Sequence, residues 1–113
     1  MLDQLIRSAR IIDGTGAAER TADVGIRDGR IVAVGKVTEQ AEQTLDADGA
    51  LLTPGWVDVH THYDGQVTWD DTLDPSASHG VTTIVTGNCG VGFAPVTPDG
   101  HRDLIELMEG VED

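Results

Sequence analysis

The chain has 113 residues, the size of one small domain, and carries seven basic against twenty acidic residues, a net charge of −13 at pH 7. That balance excludes nucleic acid and an anionic membrane surface as partners, because both recruit clustered Lys and Arg. At 39% hydrophobic and 24% charged the composition is globular rather than disordered. No apolar run approaches the ~20 residues of a membrane span, and the N-terminus lacks a basic and apolar leader, so the expected location is the cytoplasm. The single cysteine, Cys89, forms no intrachain disulfide.

The first half reads as short strands joined by Gly/Asp turns. Leu2 to Ile12 is rich in Leu and Ile, Asp13-Gly14-Thr15-Gly16 breaks it, and Val24 to Arg27 resumes it. Asp28-Gly29, set between Val24/Ile26 and Ile31 to Val34, is the signature of a two-residue type I′ hairpin, because both turn residues must take positive φ. Residues 38–44 read as polar connection, and Leu45 to Thr53 as one or two short strands interrupted by Asp48-Gly49. These elements predict a small antiparallel β unit of about five strands over residues 1–55.

Beyond Thr53-Pro54-Gly55 the pattern changes. Residues 1–55 carry six basic and nine acidic residues, net −3, whereas residues 56–113 carry Arg102 alone against eleven acids, net −10. Trp56 to His62 predicts a short strand and the β-branched run Val81 to Thr86 a second, of the kind buried in a parallel sheet. Between them, 64–74 reads as loop and Pro75 to Gly80 as a short helix with Gly80 as its C-cap. Leu104, Ile105, Leu107 and Met108 share one side of a 3.6-residue period, which predicts an amphipathic helix over 99–109 ending near Gly110. Strand, connection, strand, helix is the order of a β/α array, so the whole is a mixed α/β chain.

Chemistry concentrates at three residues. His60 and His62, one residue apart on a predicted strand, emerge on the same face, an arrangement for two ligands of a zinc-like ion or for two surface histidines. Cys89 follows the second strand in Thr86-Gly87-Asn88-Cys89-Gly90, where glycines permit a tight turn. Neighbouring parallel strands would bring its sulfur toward the histidines as a mixed sulfur/nitrogen site; the alternatives are an inert buried thiol or a nucleophile paired with a histidine. Gly87 to Gly92 lacks the Gly-Lys-Ser/Thr of a phosphate loop, and Asp64, Asp70, Asp71 and Asp74 lack calcium-loop spacing. Ser76 and Ser78 beside His79 show no nucleophile elbow, and His79 and His101 read as structural or exposed. Trp56, Tyr63, Trp69 and Phe93 flank the candidate ligands as pocket lining or core.

Taken together, Pro54-Gly55-Trp56-Val57-Asp58-Val59-His60-Thr61-His62 resembles the PGxxDxHxH signature of the metal-dependent amidohydrolase superfamily. Tyr63-Asp64-Gly65-Gln66, Trp69-Asp70, His79 to Thr83 and Gly87 to Pro95 are similar to the N-acyl-D-amino-acid deacylases, the D-aminoacylases. The resemblance implies that residues 1–55 are the N-terminal part of a small β-sandwich and residues 56–113 the start of a (β/α)₈ barrel. It also implies that His60 and His62 serve one metal position and that Cys89 ligates the tightly bound zinc. The implied chemistry is amide hydrolysis of a small N-acyl amino acid, with an aspartate further along the barrel shuttling protons. Lys36, the sole lysine, falls in the β unit and matches no bridging-lysine position.

A (β/α)₈ barrel needs about 250 residues, so this length admits at most two βα units. The chain therefore reads as the N-terminal portion of a longer enzyme, inactive alone, with exposed strand edges that favour self-association. Two other readings fit parts of the pattern: a cyclic-amide hydrolase of the hydantoinase or dihydroorotase kind, and a non-enzymatic acidic module for oligomerisation or partner binding. The GNCG segment favours the deacylase.

Overall fold

The computed structural model describes residues 1–110 and divides the chain into two compact units, Met1–Pro54 and Gly55–Asp113. Residues 111–113, the end of the expected second domain, lie outside the described residues.

The first unit is one five-stranded sheet of β1 (Leu2–Ile11), β2 (Arg20–Arg27), β3 (Arg30–Gly35), β4 (Ala41–Asp46) and β5 (Leu51–Leu52). Its order is β3-β2-β1-β4, with β5 also on β1. Asp28 and Gly29 take φ of 52° and 67°, so the β2–β3 hairpin closes through the expected turn, with Arg27 opposite Arg30. The remaining pairing corrects the expected antiparallel unit: β1 pairs antiparallel with β2 but parallel with β4 and β5, so the sheet is mixed. Residues 36–40 carry the chain from one side of the β1–β2 pair to the other instead of turning back as a hairpin. Val37 anchors that crossing by packing into a buried cluster with Leu2 and Leu5. Residues 41–44, expected as connection, open β4, whose Glu42, Gln43 and Thr44 are exposed and carry no hydrophobic alternation.

A bulge at Ser8, φ 57°, shifts the β1 register between Ile6 and Ala9. A bulge changes which face the following residues present. Ala9 and Ile11 thus join Val24 in a second buried cluster, with Ile6 and Ile26 packed against it. The Asp48-Gly49 turn lets one side of β1 pair with two successive strands, the Gly49 amide donating to the Ser8 carbonyl at 2.8 Å.

In the second unit β6 (Trp56–Thr61) and β7 (Val81–Thr86) form a parallel pair, as their β-branched composition predicts. Short 3₁₀ turns at Gln66–Thr68 and Ala77–His79 interrupt their connection, and the second ends on Gly80 in the left-handed conformation at φ 86°. The Gly80 carbonyl then accepts the Trp56 amide at 2.9 Å, joining the end of the connection to the start of β6. The helix α1 (His101–Glu109) begins two residues later than expected and buries Met108, while Ile105 and Leu107 stay exposed. Among the described residues no helix is long and apolar enough to cross a membrane.

Candidate metal centre

β6 delivers His60 from within the strand and His62 one residue past its end, so period-two alternation sends both rings to one side. Their centroids lie 5.5 Å apart with planes inclined by 41°. Cys89 arrives from the turn after β7, which the Gly90 amide closes on the Gly87 carbonyl at 3.0 Å. Gly87 and Gly90 take φ of 75° and 89°, values that L side chains rarely adopt, so the tight turn depends on glycine at both ends. One ring nitrogen of His60, one of His62 and the sulfur of Cys89 all lie within 4.8 Å of one another. The histidines are exposed and the cysteine half-buried, its Sγ donating to the Val91 carbonyl at 3.3 Å.

Two nitrogens and one sulfur are a donor set suited to zinc, and tetrahedral zinc holds such donors about 3.4–3.6 Å apart. The trio therefore fits the ion after closing by roughly 1 Å, a shift that side-chain rotation at exposed histidines can supply. His60, His62 and Cys89 would supply up to three of the four donors of a tetrahedral zinc.

Three hydrogen bonds at the ends of the parallel strands fix the backbone beneath these side chains. Thr61, buried, donates its hydroxyl to the Val85 carbonyl at 3.0 Å, and Asn88 donates its amide to the Val59 carbonyl at 2.7 Å. The Asp58 carboxylate accepts the His60 amide at 3.1 Å, inside a register irregularity between Asp58 and Thr61. The sequence singles out neither Asn88 nor Thr61, because the β-branched and glycine-rich patterns around them signal backbone shape but not the side-chain bonds that cross between strands.

The other candidates stand apart. His79 directs Nδ1 to the Pro75 carbonyl at 2.7 Å and is exposed, with the Ser78 hydroxyl 3.4 Å from the same nitrogen. Asp70 accepts from Thr72 and Gln66, and these bonds, the Thr72 hydroxyl first, hold its carboxyl well below the usual carboxylate range. Tyr63 donates to the Ser76 hydroxyl at 2.8 Å and accepts the Ser76 amide, pinning the start of the β6–β7 connection to its end.

Comparison with known proteins places this chain in a family. A sequence profile described as "Amidohydrolase family" matches residues 43–113, and one described as "Urease alpha-subunit, N-terminal domain" matches residues 1–51. The chain is 39% identical over 108 residues to a D-aminoacylase of Alcaligenes xylosoxydans xylosoxydans, covering 92% of this chain and 22% of that protein. It is 43% identical over 107 residues to an N-acyl-D-aspartate deacylase of the same organism, covering 94% of this chain and 22% of that protein. The crystal structure of N-acyl-D-glutamate deacylase from Bordetella bronchiseptica, complexed with zinc and a phosphonate inhibitor, superposes with a TM-score of 0.76 at 46% identity, over 88% of this chain and 21% of that one. The chain thus spans about a fifth of the length of the relatives it matches. With the profile match over more than half its residues and these likenesses over nearly all of them, the chain belongs to the amidohydrolase family and is similar to the N-terminal portion of its D-aminoacylases.

Proposed function

We propose that the full-length protein hydrolyses the amide bond of N-acyl-D-amino acids at a zinc centre to which this chain contributes His60, His62 and Cys89. The convergence of these three donors within 4.8 Å carries the reading. Support for the substrate class comes from relatives that are a D-aminoacylase and N-acyl-D-aspartate and N-acyl-D-glutamate deacylases. Residues 1–55 are read as part of a small β-sandwich, and residues 56–113 as the opening βα units of a (β/α)₈ barrel, whose sites lie at the C-terminal ends of strands. His62 and Cys89 follow the ends of β6 and β7 in that manner, and His60 is the penultimate residue of β6.

Zinc bound there supplies Lewis acidity toward the scissile carbonyl and acidifies water toward neutral pH. The chain's own contribution is to hold the ion: two neutral imidazoles and one thiolate, on backbone fixed by Asp58, Thr61 and Asn88. The acid/base group and the remaining ligands are assigned to the rest of the barrel, so the isolated chain is read as inactive. A cytoplasmic location and self-association through open strand edges belong to the same reading.

Assay of the full-length protein on N-acetyl-D-amino acids and on hydantoin tests it. Release of free D-amino acid is expected, abolished by chelation and reduced more than about 100-fold in Cys89→Ala, since even outer-shell partners of metal ligands are worth about 10–100-fold. Opening of the hydantoin ring without deacylation would establish the cyclic-amide reading instead.

A further inference from the structure

The peptide unit that precedes His60 is held by side chains at both of its polar groups. Its carbonyl, that of Val59, accepts the Asn88 amide at 2.7 Å, and its N–H, that of His60, donates to Asp58 Oδ1 at 3.1 Å. Both bonds fall inside the irregularity where Asp58 pairs with Ile84 and Thr61 with Thr86, so three steps on β6 match two on β7. A bulge of this kind removes backbone groups from the ladder and re-aims a side chain, and here side chains take the ladder's place. Asn88 is also the residue before Cys89, within the turn closed between Gly87 and Gly90. One hydrogen bond therefore links the segment carrying the sulfur to the peptide carrying His60.

We propose that Asn88 is a positioning residue of the metal centre, clamping the Cys89 turn to the bulge of β6 so that sulfur and imidazoles converge. The proposal rests on the assignment of Cys89 as a ligand with His60 and His62. Asn88 spends its side-chain amide on the Val59 carbonyl, so it acts by holding the distance between donors that sit on different strands. Its loss lets the exposed turn move relative to β6 and raises the cost of closing the trio around an ion. Outer-shell partners of metal ligands are typically worth about 10–100-fold in affinity, which sets the expected size of the effect.

The experiment is zinc affinity by chelator competition in the full chain for the wild type, Asn88→Ala, Cys89→Ala and the double variant, with thermal unfolding of the metal-free proteins alongside. Asn88→Ala is expected to weaken zinc about 10–100-fold in the wild-type background and less than about threefold in the Cys89→Ala background, with metal-free unfolding little changed. Asn88→Ser, which keeps a polar side chain in the turn but has no amide to reach Val59, is read the same way should Asn88→Ala fail to fold. Equal weakening in both backgrounds would reduce Asn88 to a general loop anchor and overturn the proposal. Cys89→Ala weakening zinc while Asn88→Ala does not would overturn the clamp alone; Cys89→Ala binding zinc as tightly as the wild type would overturn the clamp and the ligand assignment together.

Discussion

Asp23 shows how one side chain sets the local shape of the first unit. Its carboxylate accepts the Ser8 amide at 3.0 Å and the Val37 amide at 3.2 Å, bracing the β1 bulge with one oxygen and the crossing segment with the other. The Ser8 amide first, then that of Val37, lower its pKa below the ordinary 3.8. A carboxylate depressed in the folded state stabilises the fold above its unfolded pKa, and that contribution is lost as pH falls from about 3.8 through the lower folded value. Asp23→Ala is therefore expected to lower the urea midpoint at pH 7 and to narrow the difference between wild type and variant at about pH 2–3. Parallel urea curves at the two pH values check this, and an undiminished difference at low pH would contradict it. None of this was legible in the sequence, where Asp23 is one acid among twenty and both of its partners are backbone amides. His60, His62 and Cys89 were legible, because spacing on a strand and a glycine-framed turn both constrain direction.

At the scale of elements, the β2–β3 hairpin, the parallel β6–β7 pair and the helix followed from local rules, whereas the pairing directions of β4 and β5 did not. Hydrophobic alternation along β1 has the same period whichever way its neighbour runs, so only the crossing by Val37 reveals that β4 and β5 lie parallel to it. The β6–β7 pair has a local determinant that the sequence hints at as Pro-Gly. A Cβ at Gly55 would stand 2.2 Å from both Thr82 Cγ2 and Thr82 Oγ1 and 2.8 Å from Thr82 Cβ. The β-branched threonine lies in β7 and cannot swing away freely, so the close approach that sets β6 beside β7 requires glycine. Gly55→Ala is expected to destabilise the second unit by about 1–3 kcal/mol, the usual cost of overpacking. Adding Thr82→Ala should recover part of that loss, and denaturant curves of the two single variants and the double variant measure the coupling. Simple additivity would mean that the predicted clash is absorbed elsewhere.

For the whole molecule, the exposed apolar surface is concentrated on strands whose pattern predicts burial. Trp56, Val57 and Val59 on β6 are each 59% exposed, although their strand type is normally buried on both faces. The mixed α/β character could be read from the order of elements, but what covers these faces could not, because burial depends on what packs against a strand and not on the strand alone. Net charge adds that the half carrying His60, His62 and Cys89 is the more acidic, a setting that favours a bound cation. The central claim is that the two histidines and the cysteine hold one ion together. Absorption of the cobalt-substituted full chain tests this most directly, since a thiolate ligand gives a near-ultraviolet sulfur-to-metal charge-transfer band. That band is expected with one cobalt per chain and is expected to vanish in Cys89→Ala; cobalt bound with no such band in the wild type would contradict the shared site.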